Sequence, residues 1–449
     1  MPLGDVLLPE VLKNCGYSNH IVGKWHLGFY RPEMLPENRG FDSHYGYLCG
    51  AEDHYTHSVD IMGYSGIDFR DGGKSTNASF GQYGADIYAS RIEKLVGSHN
   101  FDSDPMFLYA ALQNVHYPLQ APQKFVDYFS WIENDDRRHL AAMTMALDES
   151  VGRIINAFKN KGVWDDTIVF FTTDNGGSTL FGGNNWPLRN GKNIRKSQIV
   201  ELLNYNRKSK IFFKYWKLMI LTILRGLKNT LWEGGIKGLG SIKLQAGIPG
   251  VRDQLTHVSD VFPTLLDMTK CPISSHDRSK LDGASQAKML QDDTESSIDG
   301  FLINIDPLRL NKKSSDARKW NSTFDVRVQS GIRWKNWKLL TGNPEPDNYP
   351  GGRIYPPEWP TQEKTKYVSE KSPSNLRLFN IQNDPFEMEE ISNDNKDVVE
   401  VMLKMLENFN STAVPPLWPK ADPAADPKLH NGFWEPWVFS EFNRFDNIL

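Results

Sequence analysis

His20-Ile21-Val22-Gly23-Lys24-Trp25-His26 runs a short apolar stretch straight into a lysine and a histidine. Two more stretches repeat the pattern. Met106 to Leu112 leads into Asn114-Val115-His116, and Thr167 to Thr173 leads into Asp174-Asn175-Gly176-Gly177. Each reads as a buried β-strand that delivers polar residues to the loop after it. In open α/β sheets, ligands bind beyond the carboxyl ends of the strands, where such loops converge. Two histidines, a lysine and an adjacent Asp-Asn pair together describe a place for an anion beside a hard cation.

The segments between these strands read as helices. Apolar spacing predicts one over Val6–Cys15, closed by Gly16, and another over Tyr83–Val96. A longer helix is expected from Arg137 to Asn160, with Leu140, Met143, Leu147, Val151, Ile154 and Phe158 on one face and Gly162 after its end. Helices alternating with short apolar strands indicate an α/β domain with a mixed, mostly parallel sheet flanked by helices. After about residue 305 the composition turns to Pro, Asn and Ser. Gly331–Thr341 and Leu376–Ile381 read as strands there, and Val398–Phe409 as an amphipathic helix. The expected organisation is therefore a main domain over 1–305 and a smaller α+β domain over 306–449.

The 449 residues suffice for a sizeable core, and a formal charge of −4 argues against nucleic acid as the main partner. Cys15, Cys49 and Cys271 are too few for a disulfide framework, and their odd number leaves at least one unpaired within a monomer. Met1-Pro2-Leu3-Gly4-Asp5 has no basic region, and the apolar run after it is broken by Pro9 and Glu10, so no signal peptide is visible in the chain. Sequons at Asn77, Asn321 and Asn410 nevertheless point to a secretory origin, although such triplets also arise by chance.

The candidate site residues differ in how much each says alone. Asp174 and Asn175 offer carboxylate and amide oxygens side by side, which suits calcium or magnesium, but Asp-Asn-Gly-Gly is also an ordinary turn. In an extended segment, Lys24 and His26 point to the same side and could hold a tetrahedral oxyanion. His116, just past a strand, more often has a structural role when taken alone. Lys192, in Trp186-Pro187-Leu188-Arg189-Asn190-Gly191-Lys192, is by itself only a lysine in a loop.

Gly16-Tyr17-Ser18-Asn19-His20-Ile21-Val22-Gly23-Lys24-Trp25-His26-Leu27-Gly28 resembles the second signature of the sulfatases, with Asn19 where the family usually has Ser or Thr. Arg39-Gly40-Phe41-Asp42, Asp174-Asn175-Gly176-Gly177 and Trp232-Glu233-Gly234-Gly235 fit the same family. Asn184-Asn185-Trp186-Pro187-Leu188-Arg189, Asn304-Ile305-Asp306-Pro307, Trp337-Lys338-Leu339-Leu340-Thr341-Gly342, Ala413-Val414-Pro415 and Trp434-Glu435-Pro436-Trp437 extend the likeness, most closely to the arylsulfatase B group. The resemblance implies an alkaline-phosphatase-like fold and hydrolysis of sulfate esters on the sugars of glycosaminoglycans, in a lysosomal or secreted glycoprotein. It implies a formylglycine nucleophile made from cysteine in Cys-x-Pro-x-Arg, working beside Ca2+. Carried over by motif, Asp174 and Asn175 are metal ligands, Lys24 and Lys192 hold the sulfate, His26 supports the formylglycine hydrate, and His116 faces the leaving oxygen as an acid.

The nucleophile is missing. None of the three cysteines stands in Cys-x-Pro-x-Arg, and the early strand that ends in an Asp-Asp metal pair is absent too. Asp165-Asp166 precedes a strand and would lie at the opposite edge of the sheet. In this family both pieces lie upstream of the second signature, so the expectation is an N-terminally truncated, inactive chain. A non-catalytic product that binds sulfated glycans, and a phosphodiesterase or phosphonate hydrolase of the same superfamily, remain the alternatives. Oligomeric state is not legible.

One segment stands apart. Residues 194–229 carry nine Lys/Arg and a single Glu, a formal +8 against −12 for the rest of the chain. Its apolar centre, 211–224, is too short to span a bilayer. An amphipathic helix on a membrane surface, the only membrane contact the chain offers, and a structural helix are two readings. Removing the segment restores Gly191-Lys192-Asn193-Thr230-Leu231-Trp232, the direct run seen in the family, so a translated intron is the third and favoured reading. Reverse-transcription PCR across Lys192–Thr230 is expected to give mainly the short product. A full-length enzyme lacking 194–229 should be soluble and active, whereas one retaining it should be poorly soluble or inactive. Equal activity of the two forms would make the segment a genuine part of the enzyme.

Overall fold

The computed structural model describes residues 2–178, 181–183, 228–245, 247–311, 320, 322–344, 375–416 and 419–439. Lys192, Asn321 and 194–227 lie outside the described residues. The chain forms two compact units interleaved in sequence: 1–167 with 258–288 and 417–449, and 168–257 with 289–416. The expected boundary at 305/306 falls inside a continuous strand, because composition reports loop content rather than which segments touch.

In the first unit, β1 (Ser18–Lys24) is flanked by β2 (Ser43–Tyr47) and β7 (Met106–Ala111), both parallel to it. A hairpin of β3 (Ser58–Ile61) and β4 (Tyr64–Ile67) follows β2. The short β5 (Arg70–Asp71) and β6 (Lys74–Ser75) then return antiparallel, giving the order β6-β5-β2-β1-β7. Ile21 and Val22 are wholly buried, as a central parallel strand covered on both faces requires. Gly23 is obligatory. It holds φ +108°, and a Cβ there would strike the Ala111 carbonyl, just as a Cβ on Gly46 would strike the Gly23 carbonyl. The three strands are in register at Gly23, Gly46 and Ala111, just before their loops begin.

Helix α1 (Leu8–Asn14) ends where expected, with Gly16 at φ +81°. Asn19, the residue that departs from the sulfatase signature, is fully buried. Its amide donates to Pro9 O (2.8 Å) and Gly40 O (3.0 Å), tying α1 and the Arg39-Gly40-Phe41-Asp42 loop to β1. Helix α2 (Gly84–Ser98) packs on β1 and β2. Two further helices follow, the short α3 (Gln123–Tyr128) and the long α4 (Asp135–Asn160). The latter starts two residues before the expected Arg137, because Asn134 Oδ1 caps it by accepting from Arg137 N at 3.0 Å. Met143 of the expected face is buried and Ile154 and Phe158 pack against the core, but the rest of the fully buried stripe is small, made of Ala142, Ala146 and Ser150. Small side chains let α4 approach α2, where Ser150 Oγ donates to Ala85 O at 3.2 Å.

Thr167–Thr173 departs most from expectation. The strand there, β8 (Val169–Thr172), belongs to the second unit and pairs antiparallel with β9 (Gly240–Lys243) in a two-stranded sheet, half of its residues exposed. An apolar run shows strand propensity but not its partner or its depth. The larger sheet of this unit is antiparallel, in the order β10 (Gly300–Leu310), β11 (Val328–Trp334), β12 (Trp337–Thr341) and β13 (Leu376–Asn380). The single strand expected over Gly331–Thr341 is a hairpin, turned at Lys335 with φ +50°. Val399, Met402, Leu403 and Leu406 of the helix Lys396–Ser411 pack against Ile332, Leu339 and Leu378 of the sheet.

Cys15 and Cys271 form a disulfide across 256 residues of sequence, beside Val11, Leu12 and Leu266, and Cys49 is free and buried. Replacing both partners by alanine should cost about 2–4 kcal/mol of unfolding free energy through the released chain entropy. Urea titration of the oxidised protein and the double variant checks this, and no change in midpoint would contradict it.

Candidate active site

Three loops leave the carboxyl edge of the parallel strands in the first unit. The pairing Lys24↔Tyr47 and Gly23↔Ala111 puts Lys24-Trp25-His26, the 48–54 loop and the 112–116 loop at one end of the sheet. Lys24 is half-buried at the end of β1. Trp25 N and His26 N continue the ladder to Tyr47 O (2.9 Å) and Leu48 O (3.0 Å). His26 then turns left-handed, with φ +53°, so the same-side alternation expected for Lys24 and His26 does not carry through it. Trp25 is buried edge-on to Phe41, and the exposed His26 imidazole lies over Gly50, where a Cβ would come within 2.7 Å of Nε2.

His116 follows β7 and is half-buried. Its Nδ1–H donates to Tyr117 O at 2.8 Å, which leaves the neutral ring's lone pair on Nε2. The loop is held from behind by the one after β2. His54 Nε2–H donates to His116 O (3.1 Å), Gln113 Nε2 donates to Glu52 O (2.5 Å), and Gln120 links both to His54 N (2.9 Å) and to Asp53 (2.6 Å). Tyr83, stacked on the His54 ring at 5.4 Å, donates its hydroxyl hydrogen to Gln120 O and accepts from Asn114. The peptide bonds before Val115 and Pro118 are cis.

Sequence reasoning missed Glu52, His54 and His57. The signal was there in Glu52-Asp53-His54-Tyr55-Thr56-His57, a dense titratable run directly after a strand. Glu52 is fully buried, accepts from Tyr88 Oη at 2.6 Å, and faces His57 Nδ1 at 3.3 Å. Burial pushes its carboxyl up to about 7, against the pull of His57 and Tyr88. Burial lowers His54 and His44 to about 4 each, despite their donation to the His116 and Gly23 carbonyls. It also pushes the Cys49 thiol up, so that thiol is protonated and inert.

Asp174 and Asn175 sit in the second unit, after β8. Asp174 is exposed, and Asn175 Nδ2 donates to Gly176 O at 2.9 Å, which orients Oδ1 as the remaining acceptor. These oxygens suit a hard cation in kind but not in number, since calcium takes about six to eight. Among the described residues no group of three or more His, Cys, Asp or Glu could hold a metal ion. The residues described do not make up a complete calcium shell. Of the sequons, Asn77 and Asn410 are exposed.

The family model described as Sulfatase matches residues 2–271. The chain belongs to the sulfatase family. It is 33% identical to arylsulfatase J of Mus musculus over 448 residues, covering 98% of this chain and 68% of that protein. To N-acetylgalactosamine-6-sulfatase of Rattus norvegicus it is 31% identical over 206 residues, covering 43% of this chain and 37% of that one. Among solved structures, Ps i-CgsB superposes with a TM-score of 0.67 at 22% identity, over 93% of this chain and 76% of that one. A structure from glycosaminoglycan metabolism in Bacteroides thetaiotaomicron gives 0.58 at 18% identity, over 92% and 83%. The fold of this sulfatase chain is accordingly alkaline-phosphatase-like.

The buried titratable groups predict a pH response. His54 and His44, held at about 4 in the fold, stabilise it above the unfolded value near 6.5 and lose that contribution as pH falls towards 4. Glu52 acts oppositely. Its contribution is complete below about 4.5 and is lost as pH rises through 7. The histidines outnumber it, so these three groups together should cost stability on acidification from pH 7 to 4. His54→Gln should reduce that loss by roughly 1–3 kcal/mol and Glu52→Gln should deepen it. Urea midpoints at pH 7 and pH 4.5 test both signs, and unchanged pH slopes would refute the assignment.

Proposed function

We propose that this chain is a sulfuric ester hydrolase of the arylsulfatase B type, lysosomal or secreted, whose site is built for sulfated sugars of glycosaminoglycans. The observation that carries the reading is the delivery of Lys24, His26 and His116 to one sheet edge by adjacent parallel strands. Cleaving a sulfate ester builds negative charge on the sulfate and leaving oxygens, and fixed cations favour it. The Lys24 ammonium binds the sulfate as a point charge; Lys192, which lies outside the described residues, is by the family's motif a second sulfate-binding lysine. His26 orients the attacking group. His116, with Nδ1 committed to Tyr117 O, holds or releases a proton at Nε2 towards the leaving oxygen. In the family, formylglycine supplies the attacking oxygen and Ca2+ supplies further positive charge. Asp174 and Asn175 would give Ca2+ two of its oxygens. The disulfide and the exposed sequons at Asn77 and Asn410 support an oxidising, glycosylating compartment.

A second reading is favoured by the cysteines. Cys15 and Cys271 are paired, Cys49 is buried, and none lies in the formylglycine motif. On this second reading the residues given bind sulfated glycans without turning them over. Isothermal titration with 4-sulfated N-acetylgalactosamine, against the unsulfated sugar, should show binding that Lys24→Ala weakens about tenfold, the worth of one charge-assisted contact. In the same preparation, aryl sulfate turnover should not exceed that of a Lys24→Ala/His116→Ala control. Turnover above the control would overturn the non-catalytic reading. Equal binding of the unsulfated sugar would overturn the sulfate site itself.

A further inference from the structure

Lys338 is wholly buried on β12, the last place a lysine is expected without compensation. Its ammonium lies 2.7 Å from Glu387 Oε1 and 2.9 Å from Glu233 Oε1. Strand periodicity sets Lys338 and Leu340 on one face, and that face meets Leu231 and Trp232. Glu387 also works through its other oxygen, since Oε2 accepts from Glu233 N at 2.9 Å and caps the helical turn Glu233–Ile236. The turn is held by charge at its side chain and at its backbone.

The same turn carries the proposed cation-facing loop. Gly176 N donates to Gly235 O at 3.1 Å, and a Cβ on Gly176 would strike the Gly234 carbonyl. On the other side of Asp174-Asn175, Thr173 N donates to Leu239 O (3.0 Å), and Leu239 N donates to Thr173 Oγ1 (2.9 Å). The Asp-Asn pair is therefore suspended between two anchors, both on the segment 235–239. All of these residues belong to the second unit.

We infer that Lys338 is a positioning residue for Asp174 and Asn175, acting through Glu233, Glu387 and the glycine turn they hold. The inference deepens the reading of Asp174-Asn175 as a cation-facing pair and rests on it for its functional consequence only. Removing the cation leaves two buried carboxylates facing one another, which move apart or take up water or a proton. The turn at 233–236 then loses its fixed position, and the loop docked on it loses its own.

The test is hydrogen exchange on the whole protein with Lys338→Met, Glu233→Gln and Lys338→Arg. Glu233→Gln is the milder change, since it leaves the Lys338–Glu387 pair in place. Amides of 173–177 are expected to exchange about tenfold faster in Lys338→Met and measurably faster in Glu233→Gln, with β11 and β13 little altered. Lys338→Arg, which keeps the charge, should stay near the wild type. Unchanged exchange at 173–177, or a loss spread equally over β11 and β13, would overturn the inference. Loosening by Lys338→Arg as large as by Lys338→Met would also overturn it, because shape rather than charge would then be decisive. Terbium luminescence supplies the second readout. Terbium binding that depends on Asp174 should weaken in Lys338→Met and hold in Lys338→Arg. Terbium binding indifferent to Asp174→Ala would overturn the cation-facing reading alone, with the exchange experiment still deciding the positioning role.

Discussion

The first unit depends on a backbone contact that side chains could not make. Gly23 and Gly46 hold positive φ angles at which a Cβ on Gly23 would collide with the Ala111 carbonyl of β7 and one on Gly46 with the Gly23 carbonyl of β1. Parallel strands ordinarily fan apart with the twist of the sheet. The register Gly23↔Gly46 and Gly23↔Ala111 instead aligns the three strands one residue before Lys24, so Lys24, the 48–54 loop and the 112–116 loop leave from one edge.

Behind that edge lies a buried polar layer whose members have distinct roles. Glu52 holds Tyr88 and His57 through its carboxylate and receives Gln113 on its backbone carbonyl. His54 reaches the carbonyl of His116 itself. Hydrogen bonds of this kind gain little net energy but are costly to leave unmade, which makes them better at fixing geometry than at adding stability. The cost appears as titration. A neutral buried histidine and a buried carboxyl with raised pKa each tie the fold to a pH range, and here the two pull in opposite directions. The layer trades pH tolerance for a fixed loop.

In the second unit the organising element is a compensated buried charge. A lysine between two carboxylates seldom adds stability over an apolar substitute, but it ties together three segments remote in sequence. Glu233, Lys338 and Glu387 come from a glycine turn, a strand and a loop, and each is satisfied only when all three are in register. That suits a support for a loop made of Asp, Asn and glycine, which has little apolar surface of its own.

Much was legible from local pattern. The existence of α1, α2, α4 and the helix Lys396–Ser411, the strand character of β1 and β7, and the placing of Lys24, His26 and His116 at the ends of those two strands follow from periodicity and glycine placement. These are properties of a few neighbouring residues, so the chain itself carries them. The tertiary structure decided the rest, for one physical reason: burial and pairing are made by segments far apart in sequence. The partner of β8, the interleaving of the two units, the pairing of Cys15 with Cys271 and the clamp from His54 to His116 depend on which distant residues arrive beside them. So does the conversion of Lys338 from an unremarkable lysine in a strand into a buried counter-ion. No window of sequence around Lys338 contains either of its carboxylates.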